Sequence, residues 1–182
     1  AAVRRNDLDG TLAELSAGAD IDAQEPKSGV TPLSWAALHG HSEVARLLIE
    51  HDADLDVRNQ DGARPLHAAA FLGHAEVVKL LIKSGADIEA RDGKGATPAD
   101  ATRANWSIVQ FITGTLQLPK SDQEQVVNGQ LICRRLLSGE TIEDVNSEEQ
   151  STANKTVGEK DSDTSAPFNG FVVAYAEVMN GD

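Results

Sequence analysis

Gly29, Gly62 and Gly95 stand 33 residues apart and open three versions of one phrase, Gly-Val-Thr-Pro-Leu, Gly-Ala-Arg-Pro-Leu and Gly-Ala-Thr-Pro-Ala. A second phrase keeps step with the first: Gly18-Ala-Asp-Ile-Asp, Asp52-Ala-Asp-Leu-Asp and Gly85-Ala-Asp-Ile-Glu. Two marks recurring in phase mean that one supersecondary unit is stacked, each copy burying its apolar face against its neighbours. A stack of this kind displays a long side-chain surface and offers no natural catalytic cleft. The period therefore points to binding, and it leaves the partner unnamed.

Within each unit the residues spell loop, short helix, turn, longer helix. Thr31-Pro32 starts the first complete unit, because proline fits the first helical position, where its missing N–H is not needed. Leu33, Trp35, Ala36 and Ala37 follow, and Gly40-His41 breaks the helix. Ser42 is then the expected cap of a second helix, in which Val44, Leu47 and Leu48 fall on one face. Pro65, Leu66, Ala69, Ala70, Gly73-His74, Val77, Leu80 and Leu81 repeat the pattern. The expected central core is Leu47, Leu48, Leu80 and Leu81. Aromatic residues are only 4% of the chain, so alanine and leucine must supply most of the packing.

These residues resemble the ankyrin repeat. Thr31-Pro32-Leu33-Ser34 and Arg64-Pro65-Leu66-His67 carry the likeness, with the two Gly-His turns, Glu43-Val44 and Glu76-Val77, Leu47-Leu48-Ile49 and Leu80-Leu81-Ile82, and the Gly-Ala-Asp closures. The resemblance covers about residues 1–118 and implies an all-α solenoid. Its units would be a partial repeat over 1–24, full repeats over about 25–57 and 58–90, and a degenerate one over 91–118. Before Gly18 only the second helix is complete, with Leu8, Leu12 and Leu15 on one face, behind the tail of a first. The first loop carries one extra residue within Gln24–Ser28. Arg64 stands where the family has Thr and Ser34 where it has His, so the side-chain hydrogen bond that links these two positions in the family is not expected in either full repeat. In the last unit Trp106 replaces a glycine, the turn is shortened and no Gly-Ala-Asp closure follows Phe111-Ile112.

Beyond Pro119, Ser121-Asp122-Gln123-Glu124 reads as a capping box, and Val127, Leu131 and Leu136-Leu137 predict an amphipathic helix ending at Ser138-Gly139. This helix, within 119–139, is expected on the open end of the stack. Residues 140–167 read as an acidic disordered linker: Glu140 to Asp163 holds eight carboxylates against Lys155 and Lys160, with almost nothing apolar. Residues 168–182 turn apolar again and read as the start of an unidentified element.

The net charge is −13, which disfavours nucleic acid and anionic lipid as partners, since both demand clustered Lys and Arg. No run of 18 apolar residues is present, so no membrane insertion by this segment is expected. One cysteine, Cys133, excludes an internal disulfide framework; Arg134 and Arg135 beside it favour the thiolate, against the simpler reading of a buried structural thiol. His39, His41, His67 and His74 invite a metal, but no cysteine accompanies them and the resemblance assigns three of them to the Gly-His turns and the Pro-Leu-His position. No phosphate-cradling loop or nucleophile–base grouping appears, so no cofactor, metal, small-molecule substrate or enzymatic activity is expected. Asn105-Trp106-Ser107 and Asn154-Lys155-Thr156 match a glycosylation sequon, which matters only in a eukaryotic secretory pathway.

The resemblance implies protein–protein recognition on a concave face made by the hairpin tips and the exposed side of the first helices. Carried over by position, that face takes in Gln24, Pro26, Lys27, Val30, Leu38, His39, Arg58, Gln60, Asp61, Ala63, Phe71, Leu72, Arg91, Lys94, Ala96, Ala104 and Asn105. Phe71 and Leu72, with Leu38, are the expected anchors and Arg58 and Arg91 the rim. Phe71 carries a rival assignment, as a brace between neighbouring first helices. With no initiator Met and an apolar end, the chain also reads as a fragment or processed product. The last repeat and the helix after it resemble bacterial ankyrin arrays fused to other domains, membrane acyltransferases among them. The alternative function is accordingly a docking or regulatory segment of a larger enzyme. The compartment is left open, with the cytoplasm slightly favoured.

Overall fold

The computed structural model describes residues 2–115 and 123–140. Among them the regular structure is entirely helical. A 3-10 turn, Val3–Arg5, precedes α1 (Leu8–Ser16), α2 (Pro32–His39), α3 (Ser42–Glu50), α4 (Pro65–Phe71), α5 (Ala75–Lys83), α6 (Pro98–Ala101), α7 (Trp106–Thr115) and α8 (Gln123–Leu137). The short helices α2, α4 and α6 stack on one another as an inner layer, with the 3-10 turn against α2. Behind them α1, α3, α5 and α8 form the outer layer.

Proline sits in the first turn of all three inner helices, and the residue before it carries the cap. Thr31 Oγ1 accepts from the Ser34 amide at 3.2 Å, and its hydroxyl lies 3.1 Å from that of Ser34. In the next repeat the Arg64 amide donates to His67 Nδ1 at 3.3 Å, and in the last the Thr97 amide donates to Asp100 Oδ2 at 3.0 Å. The side-chain link therefore survives at Ser34, whose hydroxyl meets that of Thr31, but is absent at Arg64, where the backbone amide alone reaches the His67 ring. Ser42 is not the cap of α3. It is the first helical residue, and His41 holds the cap position without a side-chain cap bond.

The core runs through Leu33, Ala36, Ala37, Leu38, Val44, Leu48, Leu66, Ala69, Ala70, Phe71, Val77 and Leu81. Leu48 and Leu81 lie at its centre as expected, whereas Leu47 and Leu80 are only half-buried. Of the three α1 leucines just Leu15 packs inward, with the buried Thr11; Leu8 and Leu12 face solvent.

The C-terminal end departs from simple repetition. α8, not α7, lies against α5 and reaches both α4 and α6, so it fills the outer position of the last repeat and α7 is inserted before it. Its buried face is Val126, Gly129, Gln130, Cys133, Leu136 and Leu137, while Val127 and Leu131, the expected inner face, are exposed. The docking is close. Gly73 turns the chain at φ +71°, and a Cβ at Gly129 would collide with its carbonyl oxygen. The capping box at Ser121, the acidic stretch after Glu140 and the apolar 168–182 lie outside the described residues.

Candidate partner-binding face

Three hairpins link the repeats, closed by Glu25 N–H to Val30 O at 3.1 Å, Asn59 N–H to Ala63 O at 2.9 Å and Asp92 N–H to Ala96 O at 2.9 Å. The first closing pair encloses one residue more than the others, which is where the extra residue of the first loop sits. Neighbouring tips are joined through backbone: the Gln60 amide donates to Ser28 O at 2.9 Å and the Gly93 amide to Asp61 O at 2.7 Å. The tips thus form one continuous row.

A ladder of side chains backs that row. Gln24 Nε2 donates to Gly29 O and Arg58 O, each at 2.9 Å. Arg58 repeats the motion one unit on, from Nε to Gly62 O at 3.4 Å and from Nη2 to Arg91 O at 2.7 Å. Arg91 then donates to Gly95 O at 2.7 Å. Arg58 and Arg91, assigned to a free rim, are therefore tied into the scaffold, although both remain exposed. Arg64 performs a related task underneath, its Nη1 lying 3.0 Å from Asp56 Oδ1 and 3.2 Å from Asp87 Oδ2, so one guanidinium joins two repeats.

A second ladder crosses between helices. His41 Nε2 faces Arg4 O at 3.4 Å and His74 Nε2 faces Leu38 O at 3.1 Å. The next rung is buried: Gln130 Nε2 donates to Phe71 O at 2.6 Å. An amide from α8 thus stands where a histidine would continue the series. The signal was present in the sequence, since Gly129-Gln130, Leu136-Leu137 and Ser138-Gly139 echo Gly73-His74, Leu80-Leu81 and Ser84-Gly85.

The assigned anchors are corrected by their burial. Phe71 and Leu38 are wholly inaccessible, and Val30, Ala63, Leu72, Ala96 and Ala104 are buried with them. Inner helices lined with Ala36, Ala37, Ala69 and Ala70 stack closely, and the larger side chains beside these alanines are enclosed between repeats. No partner can grip them without unfolding the stack. His39 is half-buried, its Nδ1 3.0 Å from Trp35 O and its ring between those of Trp35 and His41. Arg4 covers the other part of Trp35, with its guanidinium 3.7 Å from the ring centre, a favourable cation–π placement.

What stays accessible is polar. Gln24, Pro26, Lys27, Arg58, Gln60, Arg91, Lys94 and Asn105 are exposed, and Asp61 is half-buried. A cleft of about 210 Å³ between the second and third tips is lined by Gln60, Asp61, Asp92, Gly93 and Lys94. Burial drives Cys133 away from reactivity, pushing its thiol up to about 12 despite the neighbouring arginines. Among the described residues no group of three or more His, Cys, Asp or Glu is arranged to hold a metal ion, and no helix is long and apolar enough to cross a membrane.

Stacked helix pairs joined by projecting hairpins define a helical repeat solenoid. The family model for ankyrin repeats in three copies matches residues 1–92, and the chain belongs to the ankyrin-repeat family. It is similar to the ankyrin repeat-containing protein P1E11.10 of Schizosaccharomyces pombe (strain 972 / ATCC 24843), with 35% identity over 54 residues. That stretch is 30% of this chain and 26% of the relative, so the chain covers about a quarter of the relative's length. Ankyrin repeats are generally protein–protein interaction modules and generally non-enzymatic.

Proposed function

We propose that this chain is a non-enzymatic recognition module that reads a protein partner along the row of hairpin tips and the adjoining ends of the inner helices. The residues left to do so are His39, Arg58, Gln60, Asp61, Arg91, Lys94 and Asn105; Val30, Leu38, Ala63, Phe71 and Leu72 act from beneath as support. The observation that carries this reading is the backbone link from Ser28 to Gln60 and from Asp61 to Gly93, which makes the tips a stiff, exposed row. A row already ordered loses little conformational entropy on binding.

The test separates binding from folding. Gln60, Lys94 and Asn105 are exposed, and the one structural bond of note that the variant loses is the cap that Asn105 Oδ1 gives the Ile108 amide at 3.0 Å, so replacing all three by Ala should lower stability by no more than about 1 kcal/mol. A partner captured by the immobilised chain should then bind more weakly by about 1–2 kcal/mol or more, the range of interface side chains that matter. Undiminished binding to the triple variant would place the site on another face.

A further inference from the structure

We infer that the hairpin row selects an acidic polypeptide segment. The inference rests on the recognition face described above and gives its partner a chemistry. Most cations of the described residues are neutralised within the chain: Arg4, Arg5, Arg46, Arg64, Lys79, Arg103 and Arg135 each lie within ion-pair distance of a carboxylate. Lys27, Arg58, Arg91 and Lys94 lie within ion-pair distance of no carboxylate among the described residues, although Arg91 is near enough to Asp100 to help hold its pKa down, and all four are exposed on the three hairpins. Among the described residues only Lys83 and the half-buried Arg134 also lack an ion pair. The concentration is notable because the chain carries a net charge of −13.

The arginines are also held in place. Arg58 is bonded to Gly62 O and Arg91 O, and Arg91 to Gly95 O, and carbonyl oxygens fix a guanidinium without cancelling its charge. Arg58 and Arg91 repeat at the 33-residue period, so they stand one repeat apart along the stack. Carboxylates facing the row are mostly occupied. Glu25 is paired with Arg4, Asp56 and Asp87 with Arg64, and Asp100 with Arg103. Asp92 is buried, its Oδ1 accepting the Lys94 and Ala96 amides at 2.9 and 2.8 Å. Asp61, half-buried in the cleft, and the exposed Glu89, two residues before Arg91, are further acids near the tips. An extended segment with spaced carboxylates fits fixed cations in a row. A long polyanion such as nucleic acid fits less well, because the surrounding negative charge repels it and the row is short.

The experiment titrates the full chain with three labelled peptides of equal length, one glutamate-rich, one lysine-rich and one serine-rich, alongside a single-stranded oligonucleotide. The glutamate-rich peptide should bind at least about tenfold more tightly than the others, with an affinity that falls as salt rises. The double variant Lys27→Glu with Lys94→Glu should abolish that preference while keeping the wild-type unfolding midpoint, since neither lysine ammonium takes part in the ladder. Arg58→Gln with Arg91→Gln should weaken it too, with some loss of stability. Equal binding of all three peptides that still requires the hairpins would overturn the acidic partner and spare the recognition face. A glutamate preference that persists in the double lysine variant would move the cationic site off the hairpins. Tighter binding of the oligonucleotide, or no binding of the glutamate-rich peptide by the wild-type chain, also overturns the inference.

Discussion

Truncating Phe71 to Ala should cost about 3–5 kcal/mol of stability, the usual loss for a large aromatic removed from a core. The side chain is fully buried in α4, and the carbonyl of the same residue accepts the buried Gln130 amide that pins α8. A cavity here therefore loosens the inner layer and the last outer helix together, and in a short solenoid each repeat leans on its neighbours. Urea unfolding followed by circular dichroism measures the loss directly. Under conditions where the variant is folded, partner affinity should be unchanged. A Phe71→Ala chain of wild-type stability that had lost its partner would restore the residue as an exposed anchor.

Acid should destabilise the fold well above the carboxylate range, through His74. Burial is the main cause that lowers its pKa from 6.5 to about 4, followed by the opposing bond to Leu38 O and the neighbouring His39 and His41. Burial likewise lowers His39 and His67. Between the unfolded and folded values the unfolded chain binds the proton and the folded chain does not, so stability rises with pH across that window. The contribution is complete above the unfolded pKa of 6.5 and is lost as pH falls towards 4. At about 1.4 kcal/mol for each tenfold difference in proton affinity, His74 alone accounts for a loss on the order of 3 kcal/mol. His39 and His67 act in the same direction. His74→Gln supplies the control, because Gln130 shows that an amide can make this kind of rung without titrating. The variant should lose correspondingly less stability between neutral pH and pH 4, and a profile identical to wild type would remove His74 as the cause.

Much of the stack is legible in one chain because its marks are local. Proline at the first helical turn, Gly-His at the break and apolar residues at helical spacing are set within a few positions of one another. Two features of the face were not legible for the same reason. Whether Phe71 and Leu72 are open depends on how closely neighbouring inner helices approach and on Gln130, 59 residues further along. Whether Arg58 is a free rim residue depends on the Arg91 carbonyl, which belongs to the next repeat. The recurrence of Gln24, Arg58 and Arg91 in phase held a clue: donors kept at one position of a stacked unit tend to bond the unit beside them. The face of α8 was misread only in part: Leu136 and Leu137 are buried as expected, but Val127 and Leu131 look like core until Gly129 is set against Gly73.

The claim that the exposed hairpin row is the recognition surface is tested most directly by amide hydrogen exchange of the full chain, with and without a captured partner. Exchange should slow on binding at Gln24–Val30, Asn59–Ala63 and Asp92–Ala96, with the outer helices α3, α5 and α8 unchanged. Slowing confined to the outer helices, with the three hairpins exchanging as in the free chain, would contradict the account.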